Sequence, residues 1–262
     1  TKSIYRNLLS WGQKIASVLF IPLAVLSAYL LIQQNDATPL ETTSHEVFAM
    51  PGTRSKINLP DGSEVWLNSN SYMRYDTPFE SGIREVMLSG EAFFSVNADK
   101  NNPFIITFED MEVMVTGTEL NVESYANDSI NIVTLVNGKV SILIADHKEI
   151  TLLPNQQFIV DTRTNEYGLI SKDAMSYTRW KDGVLIFREE TLKDVFKRVG
   201  RTFNVEIDIM APSLAEHLYR ATFTDESLDQ ILDLISQSAP IHYEYIISPQ
   251  GKKRIEVYLK NS

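Results

Sequence analysis

"INLPDGSEVWLNSNSYMRYDTPFESGIREVMLSGEAFFSV", Ile57 to Val96, decides how this chain is read. It gathers Asp61, Glu64, Asp76, Glu80, Glu85 and Glu91 around Asn68 and Asn70. Those residues are either an active site or the turns and rims of a scaffold. Val65 and Leu67 alternate with polar neighbours, and Val86, Leu88, Phe94 and Val96 fall on one parity. A period of two with β-branched residues marks half-buried strands. Asp61 lies in a Pro-Asp-Gly turn, where its carboxylate can accept from nearby backbone amides. Asp76 and Glu80 flank Pro78 in a second polar loop. Glu91 follows Gly90 inside a strand pattern, which implies a bulge. Acid–base catalysis needs two carboxyl groups with pKa values pushed apart in one cleft. Each acid here has a simpler role in a turn or at a rim, so the stretch reads as scaffold and the chain as no enzyme.

The same pattern continues outward. Val140, Ile142 and Ile144 alternate, and "NG" at Asn137–Gly138 and "PN" at Pro154–Asn155 punctuate the strands. These dipeptides supply a fixed φ or tolerate a positive one. No helical periodicity appears from His45 to about Thr164. Many short strands at regular spacing predict an all-β domain over residues 46–175, either a β-solenoid-like stack or a sandwich.

Upstream, "IASVLFIPLAVLSAYLLI", Ile15 to Ile32, carries no charge. About 18 helical residues span roughly 27 Å, near the thickness of a bilayer core. Pro22 inside the run is better tolerated in a membrane helix than in a soluble one. Trp11 and Tyr29 sit near its two ends, where amphipathic rings favour the interface. The run predicts one transmembrane helix over 15–33, after a cytoplasmic stub at 1–14 and before a polar tether at 34–45. Lys2, Arg6 and Lys14 precede it, and the next basic residue is Arg54. The positive-inside rule therefore puts the N-terminus in the cytoplasm and the bulk of the chain across the membrane. The chain begins at Thr1, which leads us to expect a fragment or a processed form.

Downstream the period changes. "FREETLKDVFKRV" and "FTDESLDQILDLI" align Phe187 with Phe223, Thr191 with Ser227, Leu192 with Leu228, Val195 with Ile231 and Val199 with Ile235. Their apolar residues recur at i, i+3, i+4 and i+7, the stripe of an amphipathic helix. Thr191 with Asp194, and Ser227 with Gln230, read as capping boxes. Short strands precede and follow each helix, and "RIEVYL" closes the chain. This predicts a small α+β domain over 176–262 built from duplicated βαβ units, with each stripe packed on its own sheet.

Composition sets limits. A net charge of −10 argues against a nucleic-acid partner, and the absence of cysteine removes thiolate metal sites and cysteine nucleophiles. His45, His147, His217 and His242 have no metal-ligand spacing, and no phosphate loop, nucleophile elbow or HExxH helix is present. No cofactor or metal is expected.

"LPDGSEVWLNSNS", "REVMLSGEAFFSV", "VTGTELNVESY" and "LVNGKVSI" resemble, in this order, the signatures of the FecR family, transmembrane anti-sigma regulators. "WKDGVLIF" with the duplicated helix resembles the C-terminal domain of Bacteroidetes-type members, itself similar to the short N-terminal domain of secretins and TonB-dependent transducers. The resemblance runs from about residue 14 to the end. It implies a single-pass inner-membrane protein that holds an extracytoplasmic-function (ECF) sigma factor in the cytoplasm. Its periplasmic part would read the signalling domain of an outer-membrane TonB-dependent transducer. The sigma-binding helices should precede the apolar run, where only 14 residues stand, so they are expected to be missing. Leu120 replaces the family's usual Phe, and Asn155 replaces a turn Gly; both keep the local requirement of bulk or positive φ.

Two other readings stay open. In some family members a Gly-Thr bond in this motif is implicated in self-cleavage, which makes Gly117-Thr118 the local candidate for chemistry. The Thr hydroxyl would attack the preceding carbonyl of a strained peptide. The plainer reading is a Gly at a tight bend with Thr in the next strand. Alternatively Trp66, Tyr72 and Tyr75 form an aromatic platform for a glycan or wall fragment, or they are partly buried strand residues.

Overall fold

Strand β5 (Arg84–Ser95) is the spine of the molecule. Its even-numbered residues Val86, Leu88, Ala92 and Phe94, with Val96 just beyond it, enter one apolar core, as the parity requires. Its first half pairs with β4 (Ser71–Thr77) and β6 (Phe104–Phe108), and its second half with β3 (Glu64–Leu67) and β8 (Glu119–Ser124). The change of partners falls at Gly90, where φ is +108°. A Cβ there would stand 2.7 Å from Ser71 Cα, so the chain can cross at this point only without a side chain.

Around this spine a 13-stranded sheet folds into two halves. One half runs β1 (Thr43–Ala49), β4, β5, β6, β7 (Met111–Val115), β10 (Val140–Ile144) and β11 (Lys148–Leu152). The other runs β2 (Ser55–Asn58), β3, β5, β8, β9 (Ile130–Asn137), β12 (Gln156–Asp161) and β13 (Glu166–Ser171). Phe94, Phe104, Phe108, Phe158, Leu120 and Leu135 come from both halves and share the core between them. Successive hairpins are laid down alternately: β6–β7 in the first half, β8–β9 in the second, β10–β11 in the first, β12–β13 in the second. The two architectures expected from the sequence are thus blended. The layers enclose one core as in a sandwich, and the chain advances along them as in a solenoid. A solenoid proper would stack its coils in parallel, whereas every described pair here but β5–β6 is antiparallel.

The punctuating dipeptides have two jobs. Pro60–Gly62 closes the β2–β3 hairpin, with Gly62 at φ +83° and its amide donating to Leu59 O at 3.0 Å. Asn137–Gly138 and Pro154–Asn155 instead carry the chain from one half to the other, with Gly138 at φ +96° and Asn155 at φ +63°.

After β13 come α1 (Met175–Thr178), a 3-10 turn (Arg179–Asp182), β14 (Leu185–Thr191), α2 (Leu192–Phe203), β15 (Glu206–Ile209), α3 (Pro212–Ala215), β16 (Leu218–Phe223), α4 (Leu228–Ser238), β17 (Ile241–Ile247) and β18 (Lys253–Leu259). Both helices start where the caps were read. Thr191 Oγ1 accepts from the Asp194 amide at 3.2 Å, and Ser227 with Gln230 forms the full reciprocal box. Leu192, Val195, Phe196 and Val199, and then Ile231, Leu232 and Ile235, are buried against the domain's own strands. The strand order departs from simple βαβ units. β14 pairs antiparallel with β16, while β15 and β17 flank β18, so the two strands of each repeat lie in different sheets. The repeats dimerise within the chain: leading strands pair with each other, and trailing strands share the final one.

The computed structural model describes residues 20–30, 42–79, 82–144, 148–247 and 253–260, and divides into two units, Thr1–Thr42 and Thr43–Ser262. In the first, residues 20–30 are helical with exposed side chains. Among the described residues no helix is long and apolar enough to cross a membrane. The remainder of the expected 15–33 span lies outside the described residues, as do the stub and residues 34–41 of the expected tether. The last tether residues, Thr43 to His45, instead already belong to β1, paired with β4.

Candidate functional site

The outer face of the second half-sheet is covered. Trp66, Phe93 and Val136 point away from the sandwich core and pack with Trp180, Leu185, Phe187 and Phe196. The β domain and the C-terminal domain thus share an apolar cluster inside one unit. Polar residues on that outer face are consequently buried too, and each has acquired a partner.

Glu91 is the centre of this seam. Its residue is 8% exposed. Asn68 Nδ2 donates to its Oε2 at 2.7 Å and Asn121 Nδ2 to its Oε1 at 3.0 Å. The other end of Asn121 accepts from the indole nitrogen of Trp180 at 3.0 Å. A second layer lies beside it. Arg201 of α2 donates to Glu123 Oε1 at 2.5 Å and also to Asp128, which Lys197 Nζ approaches at 2.9 Å. The guanidinium lies over the Tyr125 ring at 3.9 Å, and the Tyr125 hydroxyl donates to Ser69 O at 3.0 Å. Burial, and then the charge of Glu123, push the Glu91 carboxyl up to about 7; the amides of Asn121 and Asn68 and the charge of Arg201 pull the other way. Burial raises the Tyr125 hydroxyl above its ordinary range, with Glu91 adding to it.

A cleft of about 50 Å³ opens on this seam, lined by Arg54, Asn68, Ser69, Trp180 and Thr202 among others. It is far smaller than the roughly 300–1,000 Å³ of ordinary ligand sites. Among the described residues no group of histidines and carboxylates could hold a metal ion.

The sequence profile of the FecR protein family matches residues 45–141, and that of the FecR C-terminal domain matches residues 184–255. Two crystal structures of a candidate anti-sigma factor from Parabacteroides distasonis ATCC 8503, at 2.50 and 1.65 Å resolution, are 32% identical to this chain with a TM-score of 0.73. The matches cover 84% and 83% of this chain and 100% of those. The chain belongs to the FecR family. No curated protein matches it.

Within the FecR fold, Gly117-Thr118 is a corner. It links β7 in the first half to β8 in the second. Gly117 has φ +142°, and a Cβ there would lie 2.8 Å from both Cα and Cβ of Ala98. Thr118 is buried; its hydroxyl donates to Lys139 O at 3.0 Å, and its carbonyl accepts from the Val96 amide at 2.9 Å. The hydroxyl is therefore engaged with a neighbouring corner, and the backbone takes a conformation that glycine adopts freely.

The aromatic platform does not form. Tyr72 and Tyr75 are an odd number of residues apart on β4 and face opposite sides of the sheet. Tyr72 packs on Phe48 and donates to Glu46 at 3.0 Å, whereas Tyr75 stacks on His45 and borders the sandwich core. Trp66 belongs to the other half-sheet, edge-on to Phe93 and under Lys56 and Lys181.

The carboxylates of the opening stretch separate by role. Asp61 accepts from the Ser63 amide at 3.0 Å, as the turn requires, and also holds Arg84 at 2.7 Å in a buried ion pair. Glu64 pairs with Lys56 at the surface, and Glu85 accepts from Thr107. His45 bonds Thr77, and His242 stacks on Tyr258; His147 and Glu80 lie outside the described residues. Glu91 is neither turn nor rim, which corrects its reading from sequence. The signal was present in "EAFF": Ala92, Phe93 and Phe94 are consecutive apolar residues, and a strand apolar on both faces is buried on both.

Proposed function

We propose that this FecR-family chain is the sensing part of a single-pass inner-membrane anti-sigma regulator. It takes a signal from the signalling domain of an outer-membrane TonB-dependent transducer in the periplasm and passes it to an ECF sigma factor on the cytoplasmic side. One observation carries the reading: both FecR profiles occur in order, on a fold shared with the whole of the crystallised chain of a candidate anti-sigma factor. The charge-free run Ile15 to Ile32 and the basic residues ahead of it support the topology.

The transducer domain docks on the C-terminal domain by strand addition. Among the described residues β17 pairs only with β18, so its outer edge carries backbone groups able to receive a strand. Because the two domains share an apolar cluster, docking turns them as one body. The displacement then reaches the membrane through the tether, as a change of position, force or protease access. A ligand shifts such a device only as far as it prefers one state.

The test is association of the chain, in detergent, with the purified signalling domain of its transducer. Saturable binding in the micromolar range is expected. No association at high micromolar concentration overturns the reading.

A further inference from the structure

We propose that Glu91 makes the seam between the two domains proton-sensitive: with Glu91 neutral the C-terminal domain is held more tightly on the β domain, and with Glu91 ionised it loosens. This concerns the fold itself and is independent of the regulator's partners.

The geometry is that of a carboxyl group closed in at a domain boundary. Its direct donors, Asn68 and Asn121, are neutral amides from the β domain. The C-terminal domain reaches it through Asn121, which holds Trp180. The charged groups around it are Glu123 and Asp128 from the β domain and Arg201 and Lys197 from α2. Arg201, whose charge acts on Glu91, already serves Glu123 and Asp128. Tyr125, between them, stays neutral because burial raises its hydroxyl. An ionised Glu91 thus adds a negative charge beside Glu123 in a place closed to water, where such a charge is costly. When the domain lifts, water reaches the carboxylate and the cost disappears.

The direction follows. Glu91 binds its proton more tightly with the seam closed, at about 7 against 4.5 for an exposed glutamate. Closure is therefore fully favoured below pH 4.5, loses strength as pH rises toward 7, and is level above it.

Amide hydrogen exchange on the full chain, corrected for its intrinsic pH dependence, reads this at the Arg179–Asp182 turn and in α2. The opening equilibrium should rise about tenfold per pH unit between pH 5 and 6.5. The β10–β11 hairpin, at the far edge of the first half-sheet, should stay flat. Glu91→Gln removes the titrating group and should abolish the dependence. A flat native profile, an unchanged slope in the variant, or an equal response throughout the molecule would each overturn the proposal. Should the variant not fold, carbon-13 NMR of the native Glu91 carboxyl decides: a midpoint near 7 supports it, and one near 4.5 refutes it.

Discussion

The indole nitrogen of Trp180 donates to Asn121 at 3.0 Å, and the amide nitrogen of that same Asn121 donates to Glu91, also at 3.0 Å. One side chain thus fixes both the first turn of the C-terminal domain and the buried acid of the β domain. Trp180→Phe keeps most of the apolar contact but leaves Asn121 Oδ1 without its donor, and should cost about 1–3 kcal/mol. Trp180→Ala also leaves a cavity and should cost about 3–5 kcal/mol. Urea denaturation of both variants checks this; equal losses would mean that the hydrogen bond, not packing, dominates.

Arg201 answers two carboxylates, Glu123 and Asp128, from a largely buried position. Removing it leaves both in a poorly solvated place beside Glu91. Arg201→Ala should destabilise the fold by roughly 3–5 kcal/mol, as when one partner of a buried ion pair is deleted. The double variant with Glu123→Gln should lose clearly less than the two single losses combined, which a double-mutant cycle measures.

At the β7–β8 corner the structure predicts that packing, not chemistry, explains Gly117-Thr118. Gly117→Ala forces a side chain into Ala98 at positive φ and should cost more than about 2 kcal/mol by thermal denaturation. Thr118→Val loses one buried hydrogen bond, to Lys139 O, and should cost about 1–2 kcal/mol. Intact mass after prolonged incubation should show one uncut chain. Fragments ending at Gly117 would establish self-cleavage instead.

The buried pair of Arg84 and Asp61 gives a further check on the acids of the opening stretch. Arg84 also donates to the carbonyls of Asn97 and Asn102, each at 2.9 Å. Asp61→Ala removes the only carboxylate bonded to it among the described residues and should cost about 3 kcal/mol or more. The loss should be seen in the denaturation midpoint. Binding of the transducer domain by the folded fraction should be unchanged.

Topology has its own experiment. Protease added to intact spheroplasts should digest the chain beyond Pro39. If the region is cut only after lysis, the chain lies the other way round and the proposed route of the signal fails.

Local pattern was enough to place the strands, the two capped helices and the turns. Val86, Leu88, Phe94 and Val96 alternate because a strand has two faces, and Ser227 with Gln230 caps a helix because orphan amides need acceptors three residues away. These forces act over a few residues, so they are written locally. The sequence also carried the FecR resemblance, since its motifs sit at the corners where backbone geometry tolerates few residues. What it left open was decided by contacts between distant segments. Asn137–Gly138 could be read only as a break between strands and proved to be a crossing between half-sheets, because partner choice depends on the whole sheet. Trp66, Tyr72 and Tyr75 are close in sequence but were separated by strand parity and by layer. Glu91 looked exposed while its strand was considered alone. It became buried when a domain more than 80 residues further along the chain settled on that face, and burial beside another acid is a property no single segment possesses.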